Sequence, residues 1–262
     1  MTERRTALIT GASSGIGAAV ARALAARKHD CVLTARRTDR LETLGKELEK
    51  EHGIKAHVVT SDLGARGGAE KLIQSVADLG ADIDVLVNNA GFGVHGNFVD
   101  QPADRVMQML ELNLVSLTTL THHYAKQMVA RKSGRVLQIS SIGAYQPSPL
   151  YAVYSATKSY VLMFSEAVNY ELKGTGVSVT TICPGLTATE FHEVAAHEKP
   201  KWMDMLTMTA ADVAGIAVRA TFKGRAVVTT GFSNKLTAFF VKLMPRSWAT
   251  AMAAMSMRTR AT

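Results

Sequence analysis

Short runs of continuous Val, Ile, Leu and Ala alternate along this chain with longer stretches of helical spacing. Thr6–Thr10 (TALIT), Cys31–Ala35 (CVLTA), His57–Thr60, Val85–Val87, Val136–Ser140 and Val177–Ile182 are predicted strands, and Arg225–Thr229 a seventh. Between them, Ile16–Lys28 is Ala-rich, and Thr38–His52 places Leu41, Leu44 and Leu48 on one helical face. Gly68–Leu79, Pro102–Lys132 and Tyr151–Leu172 are the remaining predicted helices. Strands separated by helices pair in parallel through right-handed crossovers. Strands built on continuous Val/Ile/Leu runs suit a sheet covered on both faces. The pattern predicts an α/β fold: one domain, with a doubly wound, mostly parallel seven-stranded sheet and helices on both faces. The domain is expected over residues 1–231, with Thr187–Met208 inserted after the sixth strand. Residues 232–262 form an apolar, basic helical extension split by Pro245.

Composition adds exclusions. Apolar residues make up 47% of the 262 and charged residues 20%, which excludes a disordered chain. Cys31 and Cys183 are too few for a disulfide scaffold and lack zinc-site spacing, so no metal is expected. No apolar run reaches the ~18 residues of a membrane-spanning helix. Met1 to Thr10 holds no long apolar stretch of the kind a secretory signal needs, and a cytoplasmic location is expected. The net charge of +8 is unevenly placed: after Asp212 there are eight Lys/Arg and no acidic residue. These cations are scattered among apolar residues, unlike a DNA-reading helix, and no nucleic-acid partner is expected.

The first strand runs into Thr10-Gly11-Ala12-Ser13-Ser14-Gly15-Ile16-Gly17 and then a helix. Glycines let backbone approach a pyrophosphate, and a helix N-terminus adds free N–H groups and a positive dipole end. The second strand ends at Ala35-Arg36-Arg37. An acidic residue there would hold the ribose hydroxyl of NAD. A guanidinium instead suits a 2′-phosphate, so NADP(H) is the expected cofactor, with Arg36 the main contact and Arg37 the second.

Tyr154 and Lys158 stand at i and i+4 on one helix face. Ser140-Ser141 ends the fifth strand, Asn88-Asn89-Ala90-Gly91 follows the fourth, and Asn113 sits inside an apolar helix. Carboxyl ends of parallel strands are where open α/β sheets bind ligands. These elements, with Asp62 and Pro184-Gly185, occur in an order that resembles the short-chain dehydrogenase/reductase family, a Rossmann fold, over about residues 5–190. The matching branch has the TGxxxGxG loop and a Tyr-x-x-x-Lys pair.

The resemblance implies a reversible hydride transfer between NADP(H) and a carbonyl or alcohol. Tyr154 would be general acid/base, and Lys158 would lower its pKa and hold the nicotinamide ribose. Ser141 would polarise the substrate oxygen, and Asn113 would position a relay water. Gly11, Ser13, Ser14, Gly15, Ile16 and Gly17 would cradle the phosphates. Asp62 with Leu63 would meet the adenine, Asn89 the adenine-side ribose, and Ala90 and Gly91 would also bind the cofactor. Pro184, Gly185, Thr187 and Thr189 would contact the nicotinamide side. Phe191, Trp202 and neighbouring Met residues suggest an apolar substrate pocket, with Tyr145 as another wall. The expected substrate is therefore a ketone or aldehyde on an apolar body. A 3-oxoacyl thioester is the alternative, and a non-catalytic NADPH sensor is the alternative of another class. A homodimer or homotetramer built partly on the two long helices follows from the same resemblance. The tail, with Phe239, Phe240, Leu243 and Trp248 among cations, is expected to pack on the substrate mouth or on another subunit. Weak contact with a membrane surface is the competing reading.

Overall fold

A computed structural model describes residues 4–191, 195 and 207–257. The chain runs β1 (Thr6–Thr10), α1 (Gly15–Ala25), β2 (Asp30–Ala35), α2 (Thr38–His52), β3 (Ala56–Thr60), α3 (Gly68–Asp78) and β4 (Ile83–Asn88). It continues through α4 (Ala103–Leu110), α5 (Leu117–Ala130), β5 (Gly134–Ile139), α6 (Ala152–Glu171) and β6 (Val177–Cys183). Short β7 (Thr187–Ala188) and β8 (Met208–Thr209) pair with each other, followed by α7 (Ala210–Phe222), β9 (Val227–Thr229), α8 (Phe232–Leu243) and α9 (Arg246–Met257). The main sheet has the order β3-β2-β1-β4-β5-β6-β9, parallel throughout. This is the expected doubly wound α/β domain.

Strand periodicity divides the core. Ala7 and Ile9 of β1 point to one face of the sheet, where α1, α2 and α7 contribute Leu24, Leu41, Leu48 and Val213. Leu8 points to the other, against Leu72 of α3 and Leu120 and Met128 of α5. Both layers are closed to water, which is why consecutive positions of β1, such as Ala7, Leu8 and Ile9, are all apolar. α2 ends at Gly53, whose φ of +63° and N–H to the Glu49 carbonyl (2.9 Å) form a left-handed cap.

The stretch expected as one helix over Pro102–Lys132 is interrupted. Glu111–Ser116 is a π-helical turn between α4 and α5, and Asn113 lies within it. A π-turn adds a residue per turn and shifts the register of the side chains that follow. The strand order reverses between β1 and β4, so a crevice opens at their carboxyl ends. The glycine loop and Asn89 sit there.

Candidate active site

The crevice is a cavity of about 530 Å³. Gly11, Ser13, Ser14, Gly15, Ile16, Arg36, Arg37, Asp62, Leu63, Asn89, Ala90 and Gly91 line one part of it. Ser141, Tyr154, Lys158, Pro184, Gly185, Thr187, Thr189 and Phe191 line the rest. Residues from the carboxyl ends of six strands of the main sheet, β1 to β6, thus meet in one space.

The glycine loop is shaped by close backbone approach. A Cβ on Gly17 would lie 2.3 Å from the Gly11 carbonyl oxygen, so no larger residue fits. Gly17 supports the loop from behind and does not line the cavity. Thr10 Oγ1 donates to the Val87 carbonyl (3.1 Å) and accepts from the N–H groups of Asn89 and Ala90, both at 3.0 Å. The Asn89 amide donates to the Thr10 and Gly11 carbonyls, at 2.9 and 3.2 Å. Asn89, expected at a ribose, therefore uses its amide N–H groups to hold the loop to β4. Asp62 Oδ1 accepts from the Gly64 N–H at 3.0 Å and fixes the turn beside Leu63.

At the other end, α6 carries Tyr154 and Lys158 into the cavity. Lys158 Nζ donates to the Ile139 carbonyl at 2.8 Å and stands 5.8 Å from the centre of the Tyr154 ring. Burial pushes the Tyr154 phenol up to about 12, against a hydrogen bond with Ser141 that lowers it. Burial pulls the Lys158 ammonium down to about 8. Both shifts follow from the cost of a charge removed from water. Ser141 Oγ also accepts from the Gly143 N–H at 3.1 Å, which orients the hydroxyl.

Asn113 is buried just behind this group. Its amide donates to the Phe92 carbonyl and to Thr157 Oγ1, both at 3.0 Å, and its oxygen accepts from the Phe92 N–H at 3.3 Å. A Cβ on Gly91 would lie 3.0 Å from Asn113 Oδ1 and 3.4 Å from Lys158 Nζ, so this glycine lets the two converge.

Several expectations change. Tyr145 does not line the cavity: its hydroxyl bonds Thr229 Oγ1 at 2.9 Å and its ring packs near Cys183. Its place on the 3-10 turn Ile142–Tyr145 points it at β9. Trp202, together with His192, Val194, Met203, Met205 and Leu206, lies outside the described residues. Arg37 is already engaged: Nη2 donates to Ser14 Oγ at 2.8 Å and to Ser13 Oγ at 3.2 Å, and Nη1 pairs with Glu190 at 2.8 Å. Arg40 holds the other oxygen of Glu190 at 2.5 Å. Arg36 is exposed at the cavity and has no ion pair among the described residues.

Tyr151, Gln146, Glu190 and Asn234 line the cavity without having been singled out. Tyr151 had a readable signal, standing at i−3 from Tyr154 on the same helix face. Its ring lies 5.7 Å from that of Tyr154, and Phe191 lies 5.2 Å from Tyr154 on another side. Asn234 had none, because it reaches Gly185 only after β9 returns the chain to the sheet edge. A Cβ on Gly185 would lie 2.2 Å from its amide nitrogen.

Residues 5–200 match the family model described as short chain dehydrogenase. A ketoacyl reductase of Nostoc sp. (HetN) is 31% identical over 92% of this chain and 83% of its own length. The structure of a short-chain dehydrogenase from Sphingobium yanoikuyae in complex with NADPH superposes with a TM-score of 0.81, at 29% identity and 98% coverage of both chains. A structure from work on 7beta-hydroxysteroid dehydrogenase stereoselectivity gives a TM-score of 0.87 at 26% identity, over 95% of this chain and 96% of the other.

Proposed function

The chain belongs to the short chain dehydrogenase family of oxidoreductases, and on that premise we propose that it is an NADPH-dependent reductase of a ketone or aldehyde on an apolar body. The observation that carries the reading is the meeting of Ser141, Tyr154 and Lys158 in the same cavity as the glycine loop and Arg36. The cavity fits a dinucleotide: it runs from a cradle where side chains are excluded to three polar catalytic groups. The loop from Gly11 to Gly17 would hold the pyrophosphate, and the guanidinium of Arg36 would meet the 2′-phosphate. When bound, NADPH supplies the hydride.

The chain's own residues supply position and the proton. Ser141 Oγ donates to the substrate carbonyl oxygen and polarises it. Tyr154, neutral at working pH because burial raises its pKa, donates its phenolic proton to that oxygen as the carbonyl becomes an alcohol. The Lys158 ammonium beside the ring stabilises the phenolate left behind. Asn113 holds the Phe92 backbone, in the loop after β4, next to Lys158, where a water linking Nζ to solvent completes the proton path. Phe191 and Tyr151 form an apolar, aromatic wall beside Tyr154. The enzyme works as a homodimer or homotetramer through α4–α6, where Val115, Met163 and Tyr170 are exposed.

A 3-oxoacyl thioester is the second substrate reading, favoured by the cations after Asp212, which suit an acidic carrier or CoA phosphates. The test is cofactor oxidation followed by absorbance, with NADPH or NADH and a panel of aldehydes, ketones, steroids and acetoacetyl thioesters. Turnover with NADPH on the apolar ketones is expected. Preference for the thioesters would select the second reading. Tight NADPH binding with no turnover on any carbonyl would overturn both.

A further inference from the structure

The last two helices are arranged opposite to an ordinary surface helix, which buries its bulky apolar stripe and turns polar residues to water. α8 buries Ala238 and half-buries Asn234 and Val241, which share its inner side. Its large side chains Phe232, Leu236, Phe239, Phe240 and Leu243 follow the spacing i, i+4, i+7, i+8, i+11, and all are between 47% and 82% exposed. α9 repeats the design: Ala249 and Ala253 are buried, while Trp248, Met252 and Met255, at i, i+4 and i+7, are 54% to 73% exposed. Single exposed apolar residues are ordinary, but two consecutive outward stripes mark an interaction surface.

Charge identifies the partner. The chain's whole positive excess falls after Asp212, where no acidic residue occurs. Lys235 and Lys242 lie seven residues apart along one edge of the α8 stripe, and Arg246 opens α9. A second copy docking through the same face would set these cations against their own kind. A leaflet with anionic headgroups satisfies both features: phosphates meet the cations while Phe, Trp and Met enter the acyl boundary.

We propose that α8 and α9 form a docking surface for a membrane leaflet carrying anionic lipid, with both helices lying in the plane of the interface. No described helix is long and apolar enough to cross a membrane. The inner side of α8 bears on the catalytic cavity, which Asn234 and Thr237 line. A helix with its side chains is about 10–12 Å thick, so the cavity stands roughly that far from the headgroups. This placement deepens the apolar-substrate reading and rests on it only for what the membrane delivers; the docking itself needs no turnover.

The test uses the full chain with Trp202→Phe, which leaves Trp248 as the only indole. Vesicles of phosphatidylcholine, alone or with phosphatidylglycerol, are assayed by co-sedimentation and by Trp248 emission, with salt varied. We expect binding at least about tenfold stronger with phosphatidylglycerol, a blue shift of Trp248, and loss of binding as salt rises. Phe239→Ser with Phe240→Ser should lose about tenfold or more in binding, and Lys235→Glu with Arg246→Glu should abolish the preference for the anionic lipid. Thermal unfolding by circular dichroism checks that these exposed substitutions leave the fold intact. Equal partitioning onto both vesicles, or none onto either, overturns the proposal. A Trp248 already blue-shifted without vesicles, in an oligomer that Phe239→Ser with Phe240→Ser dissociates, assigns the face to a second copy.

Discussion

Tyr154 and Lys158 at the buried end of the cavity differ from Glu190, Arg37 and Arg40 at its exposed end in what perturbs them. Tyr154 and Lys158 are shifted mainly by burial, which disfavours their charged forms, one upward and one downward. Glu190 is half-exposed, and its carboxyl is held down at about 2 by hydrogen bonds from Arg40 and Arg37. Desolvation is not screened by salt, whereas an exposed ion pair is. Mutations at the buried end should therefore have large effects insensitive to salt. Those at the rim should have small, salt-dependent ones.

The largest effect is expected at Tyr154. Tyr154→Phe should retain NADPH binding and lose at least about 100-fold in turnover, the ordinary weight of acid–base catalysis. Retained turnover in steady-state assays would remove Tyr154 from the mechanism. Next in size is the selectivity of the cofactor site. Arg36→Ala with Arg37→Ala should cost about 10- to 100-fold in the preference for NADPH over NADH, the range of lost charge-assisted hydrogen bonds. Unchanged relative affinities in fluorescence titrations would refute the 2′-phosphate assignment.

Lys158 tests the buried end through stability. Its folded pKa of about 8 lies below the unfolded value of 10.5, so the unfolded chain binds the extra proton between those pH values. Stability from this group therefore rises with pH from about 8 to 10.5, and below 8 its burial costs about 3 kcal/mol. Lys158→Met removes that cost but leaves the Ile139 carbonyl without its donor, worth about 1 kcal/mol. A net gain of about 2 kcal/mol at pH 7 is expected, or about 5 °C in Tm, together with loss of turnover. A lower Tm would contradict the burial account. In the wild-type enzyme, carbonyl reduction should fall above about pH 8 as the ammonium is lost, and a rate constant up to pH 10 would exclude that role.

The smallest effect is expected at the rim. Glu190→Gln frees Arg37 from a competing carboxylate, and NADPH affinity should rise by no more than about fivefold, with the gain fading at high salt. Because the carboxyl stays ionised down to about pH 2, the difference should not vary between pH 5 and 8. The pair's contribution to stability is present above the unfolded carboxyl pKa and is lost as pH falls towards 2. A change of several hundredfold would show that the rim is not an exposed, screened pair.

Much of the architecture was legible in local pattern. Ala7, Leu8 and Ile9 are all apolar, which states that both faces of β1 are covered before any helix is placed. Tyr154 and Lys158 declare a shared face by spacing alone, and Gly11 to Gly17 declare a backbone cradle by the absence of side chains. The π-turn around Asn113 was not legible, because α4 and α5 read as one continuous amphipathic pattern. Tyr145 was misplaced for a related reason: its neighbours in sequence line the cavity, but the turn it ends points it at Thr229.

By itself, the sequence determined the order and type of the strands and helices, the glycine loop and the shared helix face of Tyr154 and Lys158. These depend on periodicity and backbone freedom, which act over a few residues. Tertiary structure alone decided that Glu190 bridges Arg37 and Arg40, that Asn89 holds the glycine loop, and that Asn234 lies on Gly185. It also decided which side of α8 faces the protein. Ala238 and Phe239 are neighbours in the chain, and local pattern would bury the phenylalanine. The structure instead buries the alanine and exposes the phenylalanine, because Asn234, on the same side one turn earlier, sits directly on Gly185 and brings that side of the helix close to the sheet edge.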